Sequence, residues 1–225
     1  MQGIVQIAGV VDSAEAMMLV KAGVHQIGFP LELTVHREDI SAEDTAKIIR
    51  LLKPPASAVL ITYLNRAEKI LAVSKEIGVH KVQLHGGISL AEIVRLKSLA
   101  PDLTVIKSLI VGSNNLAELE ASVAGFSFKC DAFIIDTYDP ATDACGATGK
   151  VHDWDISRRL VDISPRPVIL AGGLNPDNVR KAIAHVRPAG VDAHTGVEGS
   201  DGRKDAILVR AFVREALASF QEFSL

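Results

Sequence analysis

The feature that most constrains this chain is a regular alternation. Short β-branched runs and longer helical stretches succeed one another eight times from end to end. The runs Ile4–Ala8, Gln26–Phe29, Ala58–Tyr63, Lys81–Leu84, Thr104–Ser108, Ala132–Asp136, Val168–Ala171 and Val191–Thr195 are each too short for a typical helix, and turn signals or helical patterns flank them. Between them lie helical segments with identifiable ends. Ser13 is the expected N-cap of Ala14–Lys21, which Gly23 closes, and Ser41 opens the SAED stretch with Asp44 in the capping-box position. Further helices are expected over 65–77, 89–99, 114–124 (closed by Gly125), 153–161, 176–186 and 206–219.

No two strand candidates are joined as a hairpin, so the pattern predicts parallel strands linked by crossover helices. Parallel strands are covered on both faces, which suits the apolar runs AVLI and AFII. The alternative, a doubly wound open sheet for a dinucleotide, calls for GxGxxG in the first βα turn. That turn reads AGVVDS. The expected fold is therefore an α/β protein, a single-domain (β/α)8 TIM barrel spanning residues 1–225.

Composition narrows the function classes. The formal net charge is -3, from 24 basic and 27 acidic residues, and aromatics make up 4%. A chain without a basic face or stacking platforms is a poor nucleic-acid binder. No apolar stretch approaches the ~20 residues that span a bilayer, and the N-terminal segment lacks a leader pattern. A cytoplasmic protein without nucleic-acid or membrane partners is expected. Its two cysteines, Cys130 and Cys145, make neither a disulfide framework nor a zinc site. No metal or other cofactor is expected. A homo-oligomer is compatible with the chain, because outer-helix apolar residues do not divide between core and interface by pattern alone.

Barrels of this class carry their chemistry at the C-terminal strand ends. Gly172 and Gly173 follow the seventh strand, and Thr195 and Gly196 end the eighth, where converging backbone N–H groups can hold a phosphate. Tight turns alone also explain glycines, but two such turns at these two strands favour an anion pocket. Asp136 ends an apolar strand, as an acid or base at the rim or as a loop cap, and Asp192 carries the same two readings. Lys107, at the end of the fifth strand, reads as an electrostatic partner of Asp136 or of the ligand rather than a Schiff-base lysine. His85 reads as a ligand contact or a structural histidine, Cys130 as buried filler and Cys145 as a passive exposed thiol.

With these residues in view, the chain resembles the phosphoribosylanthranilate isomerase family of tryptophan biosynthesis. The likeness rests on VQLHG at 82–86, VIKS, FIID ending at Asp136, GATGKVHDW at 146–154, ILAGGLNPDNV at 169–179 and GVDAHTGVEG at 190–199. The resemblance implies an Amadori rearrangement of a phosphoribosyl-amine adduct. It makes Asp136 the general acid and Gly172, Gly173, Thr195 and Gly196 the phosphate cradle. Asp192 becomes a carboxylate on the sugar hydroxyls. It also implies a cysteine base on the first strand, where this chain has Ala8, and an arginine for the aglycone carboxylate, to which Arg37 corresponds only roughly. In the third-strand block Asn65 remains recognisable. Three readings follow: an isomerase with a substitute base (Glu32, His194 or water), an isomerase or lyase for another phosphorylated sugar adduct, and a catalytically silent phosphosugar binder. The length and glycines of the loop 137–152 permit it to close as a lid.

Overall fold

The computed structural model describes residues 3–33, 40–112, 115–139, 144–145 and 151–223, with the backbone alone for residues 139, 144 and 145. In chain order the elements are β1 (Ile4–Ala8), α1 (Ser13–Lys21), β2 (Gln26–Pro30), α2 (Ala42–Ile49), β3 (Ser57–Thr62), α3 (Ala67–Ile77), β4 (Lys81–Leu84), α4 (Leu90–Leu99) and β5 (Thr104–Val111). Then come α5 (Leu116–Phe126), β6 (Ala132–Asp139), β7 (Ala144–Cys145), α6 (Trp154–Ile163), β8 (Val168–Leu170), α7 (Val179–Val186), β9 (Gly190–Ala193) and α8 (Ala206–Glu222). A 3-10 turn over Thr195–Val197 follows β9.

The strands pair in the order β5-β4-β3-β2-β1-β9-β8-β6, and β5 also pairs with β6, so eight parallel strands close on themselves. The expected barrel is present, and closure leaves no parallel edge. The two-residue β7 lies outside the barrel and folds back antiparallel on the end of β6, Tyr138 opposite Cys145. The sequence pattern does not announce that hairpin.

Strand alternation sorts the side chains. Val5 and Ile7 of β1, and Phe133 and Ile135 of β6, point outward into the main core beneath the helices. Ala8, Val59, Ile61, Ile106, Ala132, Ile134, Ile169 and Ala171 form a second cluster inside the barrel. Each large apolar side chain buried in this way contributes about 1.5–3 kcal/mol. Helix α8 alone buries Val209, Phe212, Val213, Ala216 and Phe220, and so seals the outer layer at the β1 side.

The helix starts follow cap chemistry, with some corrections. Asp12, not Ser13, caps α1 and accepts from the Glu15 N–H at 2.8 Å, because an ionised carboxylate is the stronger acceptor there. Ser41 caps α2, and Asp44 answers through its carboxylate to the Ser41 hydroxyl at 2.9 Å. Asn115 and Glu118 form a full capping box on α5. That helix runs through Gly125 and ends one residue later at Phe126, since a single glycine costs only ~1 kcal/mol. Helix α7 starts at Val179, later than expected, because Asn175 and Asn178 first tie the preceding turn together. Among the described residues no helix is long and apolar enough to cross a membrane.

Candidate active site

The ends of β6, β8 and β9 meet around one narrow cleft of about 20 Å³, lined by Asp136, Ala171, Gly172, Gly173, Leu174, Asp192, Ala193, His194, Thr195 and Gly196. Seven of the residues singled out from the sequence thus converge: Asp136, Gly172, Gly173, Asp192, His194, Thr195 and Gly196.

The glycines are there for backbone reasons. Gly172 and Gly173 adopt φ +88 and +63, a region that disfavours side chains. Asn178 locks their turn by donating through Nδ2 to the Gly173 carbonyl at 2.9 Å. A Cβ at Gly196 would overlap the Leu174 carbonyl oxygen, so the two turns pack backbone against backbone. This close approach keeps side chains of both glycine positions out of the cleft, the kind of bare backbone that can serve as an anion cradle.

Asp136 lies within β6 rather than at its end, because the strand continues to Asp139. Alternation from Ala132 and Ile134 carries it inward all the same. It is 5% exposed, and its Oδ1 accepts from the Thr137 N–H at 2.8 Å. Burial raises its pKa to about 7, with the Thr137 amide pulling the other way. Asp192 is raised to about 7 as well, by burial first and by the Asp136 charge second, while the Gln6 amide and Lys204 oppose the shift. Its Oδ1 is buried with no hydrogen-bond partner among the described residues. Two buried carboxyl groups on one cleft do not both ionise easily, so burial and their mutual repulsion favour the state in which one of them is protonated.

Beneath them lies a polar row that sequence reasoning missed. Gln6 donates through Nε2 to Gln83 Oε1 at 2.8 Å, and Gln83 Nε2 meets His85 Nε2 at 2.7 Å. Glutamines flanked by apolar residues in short strands, as in VQI and VQL, are the signal that points to them. His85 is therefore buried in the barrel, tilted against the Tyr63 ring at 5.9 Å, and its pKa falls to about 4 through burial and the nearby Lys107. It does not line the cleft.

Lys107 is a correction. Strand β5 extends past it to Val111, and since Ile106 points inward, Lys107 points outward. Its Nζ donates to the Ser108 carbonyl at 2.9 Å and lies 5.8 Å from the Phe126 ring centroid, so it partners carbonyls and a ring rather than Asp136. Burial lowers its pKa to about 8. Cys130 is buried, as expected, with its thiol pushed up to about 11. Asn65 is exposed. Ala8 is buried inside the barrel next to Gly28, where a Cβ would come within 3.0 Å of the Ala8 methyl. Arg37, the Cys145 side chain and most of the loop 137–152 lie outside the described residues.

Two further groups frame the cleft. His152 joins the Thr137 hydroxyl (2.8 Å) to the Ser157 hydroxyl (2.5 Å), tying the end of β6 to α6. Lys204 donates to the His194 carbonyl at 3.2 Å and to Glu198 Oε1 at 2.5 Å, while its own N–H reaches the buried Glu15 at 2.7 Å.

Fold and site together define a closed (β/α)8 barrel with a buried carboxyl pair facing a glycine-lined cleft at its C-terminal mouth. Comparison with known proteins makes the class specific. Residues 5–215 match the family described as "PRAI: N-(5'phosphoribosyl)anthranilate (PRA) isomerase", and the chain belongs to that isomerase family. It is 38% identical over 218 residues to N-(5'-phosphoribosyl)anthranilate isomerase 2 of Methanosarcina mazei, covering 96% of this chain and 95% of that one. It superposes on the phosphoribosyl anthranilate isomerase of Thermotoga maritima with TM-score 0.82 and 31% identity, over 97% of this chain and all (100%) of that one. A phosphoribosyl anthranilate isomerase solved with reduced 1-(o-carboxyphenylamino)-1-deoxyribulose 5-phosphate matches with TM-score 0.79 and 30% identity, over 97% and 100% of the two chains.

Proposed function

We propose that this chain catalyses the Amadori rearrangement of an N-(5-phosphoribosyl)-amine adduct, with phosphoribosylanthranilate as the substrate, in a cytoplasmic route to tryptophan. The observation that carries this reading is the buried Asp136 carboxyl, held near pKa 7, on the same cleft as the two glycine turns.

The backbone N–H groups at Gly172, Gly173, Thr195 and Gly196 hold the phosphate, and Asp192 accepts from the sugar hydroxyls. Asp136 donates its proton to the furanose ring oxygen. The C1–O bond breaks, and the amine lone pair forms a C1=N iminium. A base then removes the proton from C2, and those electrons make a C1=C2 enolamine. Protonation at C1 with loss of the enol proton leaves the ketone. An acid poised near neutrality suits the first step, because it is protonated at working pH and still acidic enough to donate. Arg37 is assigned to the aglycone carboxylate, and His85, through Gln83, to positioning the polar row under the sugar.

The test is turnover of phosphoribosylanthranilate, followed by loss of its fluorescence. Steady turnover supports the reading. Tight phosphosugar binding without turnover replaces it with a silent binder, a role consistent with the methyl group at Ala8.

A further inference from the structure

The rearrangement needs a base for C2, and Ala8 cannot take a proton. Glu32 is exposed on the connection after β2 and does not line the cleft. Asp192, beside Gln6 in the β1–β9 register, is assigned above to the sugar hydroxyls, for which its Oδ1, unpartnered among the described residues, is the acceptor.

His194 is placed differently. The β1–β9 register pairs Gln6 with Asp192 and Ile7 with Ala193, so the next step up brings His194 beside Ala8 at the mouth. A Cβ at Gly9 would overlap His194 Nε2, so the ring lies directly over the residue that follows Ala8. Gly9, at φ +79, is what makes room for it. His194 also lines the cleft that holds Asp136 and Asp192, and its side chain keeps 24% exposure, enough for a substrate to reach. Behind it, Glu198 Oε1 stands 3.5 Å from Nε2. Glu198 is held by the buried Lys204 ammonium, which also donates to the His194 carbonyl. An imidazole backed by an anchored carboxylate is the arrangement that orients a general base and stabilises its protonated form.

We propose that His194 is the general base that takes the C2 proton, standing in at the rim for the group Ala8 lacks, and that Glu198 is its positioning residue. The proposal rests on the isomerase reading above. An imidazole nitrogen takes the C2 proton, the C–H electrons form the C1=C2 bond, and the iminium π electrons return to the amine nitrogen. The imidazolium then delivers its proton to C1, and the enol proton passes by way of solvent to the Asp136 carboxylate, so both groups return to their starting states and the isomerisation is proton-neutral.

The experiment uses the full chain with phosphoribosylanthranilate. His194→Gln lowers kcat by about 10²–10⁴ with KM changed far less, and Glu198→Gln lowers kcat more modestly with the same split. In His194→Ala, added imidazole restores part of the lost kcat, which also shows that this variant is folded. Proton exchange at C2 is lost with kcat in His194→Gln. A His194→Gln enzyme with kcat within about threefold of wild type overturns the assignment. So does loss of C2 exchange in Asp192→Asn while His194→Gln retains it. Absence of turnover in the wild type overturns the isomerase reading and this assignment with it, whereas an active wild type with an active His194→Gln overturns the assignment alone.

Discussion

Replacing Asp136 by asparagine should change how the stability of the protein depends on pH, and the structure sets the size of the change. In the unfolded chain this carboxyl ionises near 3.8, whereas burial in the barrel mouth holds it at about 7. Between these values the folded state keeps a proton that the unfolded state has released. The folded state therefore binds more protons, and stability falls as pH rises through this window. One such group contributes a slope of up to about 1.4 kcal/mol per pH unit, or about 4 kcal/mol across the window. That contribution is fully present below pH 3.8 and is lost as pH rises through about 7. Asp192 titrates in the same range, partly because of the Asp136 charge, so the two contributions do not simply add. The amide introduced by Asp136→Asn stays neutral, removes one titration and relieves part of the shift on Asp192. Urea unfolding followed by the fluorescence of Trp154, the single tryptophan, at pH values from about 4 to about 8 measures the difference. The wild type should lose stability with rising pH by about 1 kcal/mol per unit more than the variant. Curves that stay parallel to within about 0.5 kcal/mol would refute the claim that Asp136 is a desolvated acid.

The same variant should lower kcat by about 10²–10⁴ with little effect on KM, read in the fluorescence assay, because only the proton donated to the ring oxygen is lost. Gly196→Ala drives a methyl into the Leu174 carbonyl, so KM should rise about tenfold and the melting temperature should fall, as overpacking costs about 1–3 kcal/mol. Asn115→Ala removes the α5 cap, whose side chain accepts from Glu118 N–H at 2.9 Å. It should lower the unfolding free energy by about 1 kcal/mol and leave turnover unchanged, since no residue of α5 lines the cleft.

The barrel is legible in the sequence because its cause is local: eight apolar runs, each bounded by caps and turns, leave few other closures. The glycine turns are legible for a related reason, since position at a strand end restricts what a residue can face, while Asp136, which β6 runs past, is legible through its shared inward parity with Ala132 and Ile134. What stays hidden depends on parity and on strand length. Lys107 reads from the pattern as a rim residue beside Asp136, but further residues of strand and an outward register put it under α5. The Gln6–Gln83–His85 row depends on which strands are neighbours across the barrel, information that no single segment carries. The Lys204–Glu198–His194 arrangement likewise joins a loop to the strand end before it, and only the fold reveals that its imidazole covers Gly9.

The crowding at Gly28 has its own consequence. A side chain there would collide with Ile61 Cδ1, at 2.6 Å, and with the Ala8 methyl, at 3.0 Å. These three positions therefore divide one small volume among them. A methyl at residue 28 draws on space that the Ile61 δ-methyl already occupies, so Gly28→Ala alone overfills that corner. Pairing it with Ile61→Val returns that volume, which makes residues 28 and 61 a unit that engineering must change together.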